Sequence, residues 1–121
     1  MKSCLIVDDS GVVRKVARKI LEDLGFACAE AKDGQEAFES CMRQMPEVVL
    51  LDWNMPVMNG IEFLRKLRQA PNGGCPKVVL CTTENGFASI QEALGAGANE
   101  YIMKPFDSEI VQSKFMQIGA L

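Results

Sequence analysis

The sequence predicts an α/β domain in which five strand–helix units wind into one parallel sheet covered by helices on both faces. Five short apolar runs recur along the 121 residues, and segments with helical spacing lie between them. The runs are nearly continuous in apolar residues rather than alternating, as strands buried on both sides require. Strand and helix thus alternate five times, the pattern of a (βα)5 doubly wound fold.

The first run is Cys4-Leu5-Ile6-Val7. Ser10 follows as an N-cap region, and Val13, Val16, Ala17, Ile20, Leu21 and Leu24 form an i, i+3, i+4, i+7 stripe closed by Gly25 as a C-cap. The second run, Phe26-Ala27-Cys28-Ala29, leads to a helix from Gln35 to Arg43, and the third, Val48-Val49-Leu50-Leu51, to one from Gly60 to Arg68 with Ile61, Leu64 and Leu67 on one face. Pro71-Asn72-Gly73-Gly74-Cys75-Pro76 reads as the loop before the fourth run, Val78-Val79-Leu80-Cys81. A helix from Phe87 to Gly95 then carries Ile90 and Leu94. The fifth run, Tyr101-Ile102-Met103, precedes a helix from Asp107 to Ile118 with Ile110, Val111, Phe115 and Ile118.

The length suits one domain over residues 1–121, without a separate output domain. Hydrophobic residues at 48% and charged ones at 24% match a globular chain that folds by itself. No stretch approaches the roughly 20 apolar residues of a membrane span, and Met1-Lys2-Ser3 leads into a strand rather than a signal-peptide core, so the expected location is cytoplasmic. The five cysteines are odd in number, unevenly spaced and without a CxxC pair, which reads as reduced and mostly core. A net charge of −3 provides no basic stripe for nucleic acid or an anionic membrane. The absence of histidine removes Ser-His-Asp triads, histidine bases and histidine-ligated metals. Chemistry is left to carboxylates, hydroxyls and lysine.

Right-handed crossovers gather the carboxyl ends of parallel strands on one edge, where ligands bind. Asp8 and Asp9 follow the first strand, Asp52 the third, Thr82 and Thr83 the fourth, and Lys104 the fifth. A lone aspartate there can be no more than a cap for the next helix, and Asp8 or Asp9 admits that reading. Three carboxylates on one edge repel unless a cation or protons neutralise them, and oxygen ligands alone favour a hard ion such as Mg²⁺. Phosphoryl transfer asks for a nucleophile, charge neutralisation and positioning. Asp52 suits the nucleophile, Mg²⁺ and Lys104 the neutralisers, and Thr82 a hydroxyl donor to a phosphoryl oxygen. A cis Lys104-Pro105 bond would turn the chain sharply and aim the ammonium into the site.

The segments Leu5-Ile6-Val7-Asp8-Asp9-Ser10, Leu50-Leu51-Asp52-Trp53-Asn54-Met55-Pro56-Val57-Met58-Asn59-Gly60 and Tyr101-Ile102-Met103-Lys104-Pro105-Phe106 resemble the receiver domains of two-component response regulators, closest to the stand-alone chemotaxis CheY type. The resemblance spans the chain and implies a flavodoxin-like sheet in the strand order 2-1-3-4-5. It implies Asp52 as phosphoacceptor and Mg²⁺ held by Asp9, Asp52 and the backbone carbonyl of Asn54, with Asp8 assisting through a water. It also implies Thr82 as switch hydroxyl, Lys104 as phosphoryl contact and Tyr101 as the aromatic switch, which as a plain strand residue would be only half-buried. Asn54 and Glu84 take the places that influence phosphoryl lifetime. Thr83 departs from the small residue usual there, which puts lifetime in doubt and not acceptance.

A chain without histidine must receive its phosphoryl group in trans, from the phosphohistidine of a sensor kinase. The implied output is binding of a target protein through the face of the fourth helix, fifth strand and fifth helix, where Tyr101, Gln91 and Lys114 stand, by a monomer or weak dimer. Two other readings compete. A Mg²⁺-dependent phosphatase with an Asp nucleophile usually carries a second Asp two residues later, where this chain has Asn54, and a cap domain for which it lacks the length. A non-phosphorylated adaptor would keep only the fold.

Overall fold

The computed structural model describes residues 2–53, 58–82 and 87–121. Ten elements alternate along them: β1 (Lys2–Val7), α1 (Gly11–Asp23), β2 (Phe26–Ala31), α2 (Gly34–Arg43), β3 (Val48–Asp52), α3 (Gly60–Gln69), β4 (Lys77–Thr82), α4 (Phe87–Ala96), β5 (Glu100–Met103) and α5 (Ser108–Gln117). Four helices begin on a side chain that accepts an otherwise orphaned amide: Ser10 for α1, Asp33 for α2, Asn59 for α3 and Asp107 for α5. After α1, Gly25 turns the chain with φ of +97°, a left-handed conformation that a Cβ disfavours.

The sheet is wholly parallel in the order β2-β1-β3-β4-β5. Alternate residues of its central strands feed two cores. Leu5, Val7, Val49, Leu51, Val78 and Leu80 face α2, α3 and α4 through Ala37, Cys41, Phe63, Leu64, Leu67 and Ala93. Cys4, Ile6, Val48, Leu50, Val79 and Cys81 face α1 and α5 through Ala17, Leu21, Val111 and Phe115. Each large side chain removed from water here contributes roughly 1.5–3 kcal/mol against the chain's lost entropy.

Three expectations need correction. β2 is not buried on both faces; Ala27, Ala29 and Glu30 are exposed because β2 is an edge strand paired only with β1. Val16 belongs to the helical stripe of α1 by spacing yet is 48% exposed, since the stripe is wider than the surface α1 presents to the sheet. Leu94 and Ile110 likewise stand at the margins of α4 and α5 and are exposed. Among the cysteines, Cys4, Cys41 and Cys81 are buried, Cys28 is half-buried and Cys75 is exposed, and all five are free thiols. No described helix is long and apolar enough to cross a membrane.

At the amino edge of the sheet, Arg68 on α3 joins two loops. Its guanidinium donates to the carbonyls of Gly73 and Pro76 at 2.8 Å each, to that of Gly97 at 2.7 and 3.1 Å, and to Asn99 Oδ1 at 3.2 Å. Asn99 Oδ1 also accepts from the Val78 amide at 2.8 Å, so the clip reaches the start of β4.

Candidate functional site

The register of the parallel strands assembles the opposite edge. Val7 lies level with Leu51, so Asp8 emerges beside Asp52; Asp52 lies level with Cys81, and Thr82 level with Met103. Lys104 therefore starts beyond Thr82, and its long stem returns toward the middle of the sheet. Its amide donates to the Thr82 carbonyl at 2.8 Å, and the Lys104-Pro105 bond is cis.

Lys104 Nζ donates to Asp8 Oδ2 at 2.8 Å and to Asp52 Oδ1 at 3.2 Å. Asp8 is held on every side: its amide donates to the Ala31 carbonyl at 3.1 Å, and its Oδ1 accepts the Ser10 amide at 2.9 Å. Asp8 is 3% exposed, Asp52 7% and Thr82 2%, whereas Asp9 stands in solvent. Gly60 closes the floor, because a Cβ there would come within 2.6 Å of the Asp52 carbonyl.

Two carboxylates share one ammonium, and Asp52 registers the crowding. Burial first, then the charge of Asp8, pushes the Asp52 carboxyl up to about 6, with Lys104 offsetting only part of the rise. Burial alone would lower Lys104, but its hydrogen bond to Asp8 and the charges of Asp52 and Asp8 outweigh that and hold it above its ordinary value. Behind the pocket, burial pushes the Cys81 thiol up to about 12, so it is no nucleophile.

The donor set fits Mg²⁺. Asp8, Asp9 and Asp52 each offer a carboxylate oxygen, and these atoms lie within 4.8 Å of one another. These oxygens would draw closer together around a Mg²⁺ ion, and the uncompensated charge favours a cation.

Of the residues singled out in the sequence, Asp8, Asp9, Asp52 and Lys104 come together, with Thr82 at the adjoining strand end. Tyr101 is outside the pocket: it is half-buried against the α3 and α4 side of the sheet, with Lys114 Nζ 5.0 Å from its ring centroid. Asn54, Thr83 and Glu84 lie outside the described residues. The sequence reading passed over Arg14, whose Nη1 donates to the Asp8 carbonyl at 2.6 Å. A cation one turn into a helix opposes the helix dipole, and that was the available signal.

The family pattern for the response regulator receiver domain matches residues 4–115. The chain belongs to the response regulator receiver family. It is 38% identical over 112 residues to chemotaxis protein CheY1 of Helicobacter pylori, covering 91% of this chain and 90% of that protein. It is 37% identical over 115 residues to chemotaxis protein CheY of Pseudomonas aeruginosa, covering 94% and 93%. The receiver superposes on Vibrio cholerae CheY4 with a TM-score of 0.92 at 31% identity, over 98% of both chains. It superposes on the CheY of a Borrelia burgdorferi CheX-CheY-BeF3-Mg²⁺ complex with a TM-score of 0.91 at 28% identity, over 98% of this chain and 89% of that one. Receivers accept phosphoryl groups from histidine kinases and are phosphoacceptors rather than turnover enzymes, which sets the phosphatase reading aside.

Proposed function

We propose that this receiver is a Mg²⁺-dependent signalling switch whose phosphoacceptor is Asp52. The observation that carries the reading is the pocket itself: three carboxylates within 4.8 Å of one another, and one ammonium bridging Asp8 and Asp52. Bound Mg²⁺ supplies neutralisation of phosphoryl oxygens and of the carboxylates around them. Asp52 Oδ attacks the phosphorus of a kinase phosphohistidine in line; the P–O bond forms as the P–N bond breaks, and the imidazole leaves with its electron pair. Lys104 is then free to turn from Asp52, which has lost much of its charge, toward the new phosphoryl oxygens, and Asp8 keeps the ammonium in reach. Thr82 is the hydroxyl donor on the β4 side.

Response to the phosphoryl group passes from Thr82 to Tyr101, whose half-buried ring suits a side chain with two acceptable packings. The reader is a protein that recognises the α4-β5-α5 face, where Gln91 is exposed and Lys114 spans from Glu100 to the Tyr101 ring. The chemotaxis relatives make a motility relay the favoured setting, in the cytoplasm and with the receiver as a monomer or weak dimer. Asn54, Thr83 and Glu84 are assigned to the lifetime of the aspartyl phosphate.

The test is a beryllofluoride titration read by the single tryptophan, Trp53, next to Asp52. Saturable quenching that requires Mg²⁺ is expected. In parallel, phosphorylated kinase should leave a hydroxylamine-labile label on the wild type and none on Asp52→Asn. A folded wild type that shows neither response is an adaptor; label that persists in Asp52→Asn moves the acceptor elsewhere.

A further inference from the structure

We propose that Arg14, itself held by Glu30, is a positioning residue for the Asp8-Asp9 corner of the pocket. The inference rests on the Mg²⁺ reading above and extends it to a residue outside the pocket. Arg14 Nη1 donates to the Asp8 carbonyl at 2.6 Å, and Arg14 Nε donates to Glu30 Oε1 at 3.0 Å. The carbonyl belongs to the peptide joining Asp8 to Asp9. Fixing that peptide plane sets the direction in which the Asp9 side chain leaves the chain.

Asp9 needs such help more than its partners do. Asp52 ends a strand paired on both sides, through β1 and β4, and is buried. Asp8 is tied through Ala31, Ser10 and Lys104. Asp9 is exposed beyond the end of β1, so its aim depends on the preceding peptide. Glu30 sits on β2 and also accepts from Arg18 Nη1 at 2.8 Å, so two arginines brace one carboxylate, which is held below its ordinary range by its hydrogen bond with Arg18.

Arg18 provides the control. It shares Glu30 and donates to the Cys28 carbonyl at 3.0 Å, so it ties α1 to β2 much as Arg14 does, but no bond of it reaches Asp8. If Arg14 were only a tie between α1 and β2, the two arginines would behave alike. Coulomb's law supplies a second contrast. A guanidinium beside a cation site repels the cation, so loss of charge alone would tighten Mg²⁺ binding. Loss of positioning weakens it.

The experiment measures Mg²⁺ affinity from Trp53 fluorescence in the wild type, Arg14→Met, Arg14→Lys and Arg18→Met, with urea unfolding of each. Arg14→Met should weaken Mg²⁺ about ten-fold, the lower range for removing a group that orients a ligand. Arg18→Met should lose comparable stability and bind Mg²⁺ within about two-fold of wild type. Arg14→Lys should recover only part, because an ammonium lacks the planar fork that meets Glu30 and the carbonyl together. In metal-free protein, exchange of the Ser10 amide, which donates to Asp8, should quicken in Arg14→Met and not in Arg18→Met; this reading stays available through Arg14→Lys if Arg14→Met does not fold. Wild-type affinity or tighter binding in Arg14→Met, or equal weakening in Arg18→Met, overturns the inference alone. A wild type that shows no Mg²⁺ response overturns the function reading and the inference with it.

Discussion

The two edges of this sheet each centre on one cation, and they use it in opposite ways. At the amino edge, among the described residues, Arg68 donates to neutral acceptors, the carbonyls of Gly73, Pro76 and Gly97 and the amide oxygen of Asn99. At the carboxyl edge Lys104 meets Asp8 and Asp52, with Asp9 alongside, so negative charge exceeds positive. Burial works against the charge of Arg68 and lowers its pKa. The first edge is satisfied and holds loops together. The second is left with an excess of negative charge that a bound metal ion would offset. A half-buried cation with dipoles around it therefore reads as structure, and one outnumbered by carboxylates reads as a binding site.

The contrast predicts opposite effects of deleting charge. Arg68→Met removes the clip and leaves several carbonyls short of a donor, and it should cost about 3 kcal/mol in urea unfolding with little change in Mg²⁺ affinity. A loss below about 1 kcal/mol would mean that the amino edge does not depend on its cation. Asp52→Asn should instead stabilise the metal-free protein. The carboxyl of Asp52 is held at about 6 in the fold against its ordinary 3.8. As pH rises the unfolded chain releases this proton first, so between those values the folded state binds more protons and wild-type stability falls. Asn cannot ionise, so its advantage should be about 1 kcal/mol at pH 7 in EDTA, reduced from the full shift by Lys104 and solvent at the pocket, and should vanish near pH 4. Urea unfolding of both proteins at the two pH values checks this; an advantage independent of pH would break the comparison. The smallest effect belongs to Lys114, whose ion pair with Glu100 and place over Tyr101 are near the surface. Lys114→Met should cost about 0.5 kcal/mol or less in the same assay.

Much of this was legible in the chain because burial imprints local periods. The runs at Val48–Leu51 and Val78–Cys81 are buried on both faces, and Ser10 caps α1 as its spacing predicts. The strand ends were readable too, since a parallel topology sends Asp8, Asp52, Thr82 and Lys104 to one edge whatever the loops do. The margins were not legible: Val16 and β2 have core composition, but exposure there depends on how wide a surface the neighbouring elements offer.

The sequence by itself determined the alternation of elements, the residue types at the carboxyl edge and the chemistry open to a chain without histidine, because each follows from local spacing or from composition. Only the tertiary structure decided which carboxylates Lys104 bridges, how far the Asp52 carboxyl is raised, and that Arg14 reaches the carbonyl of Asp8. Those facts depend on the register between parallel strands and on the packing of α1 against β2. Both arise from contacts between residues far apart in the chain, which no local pattern records.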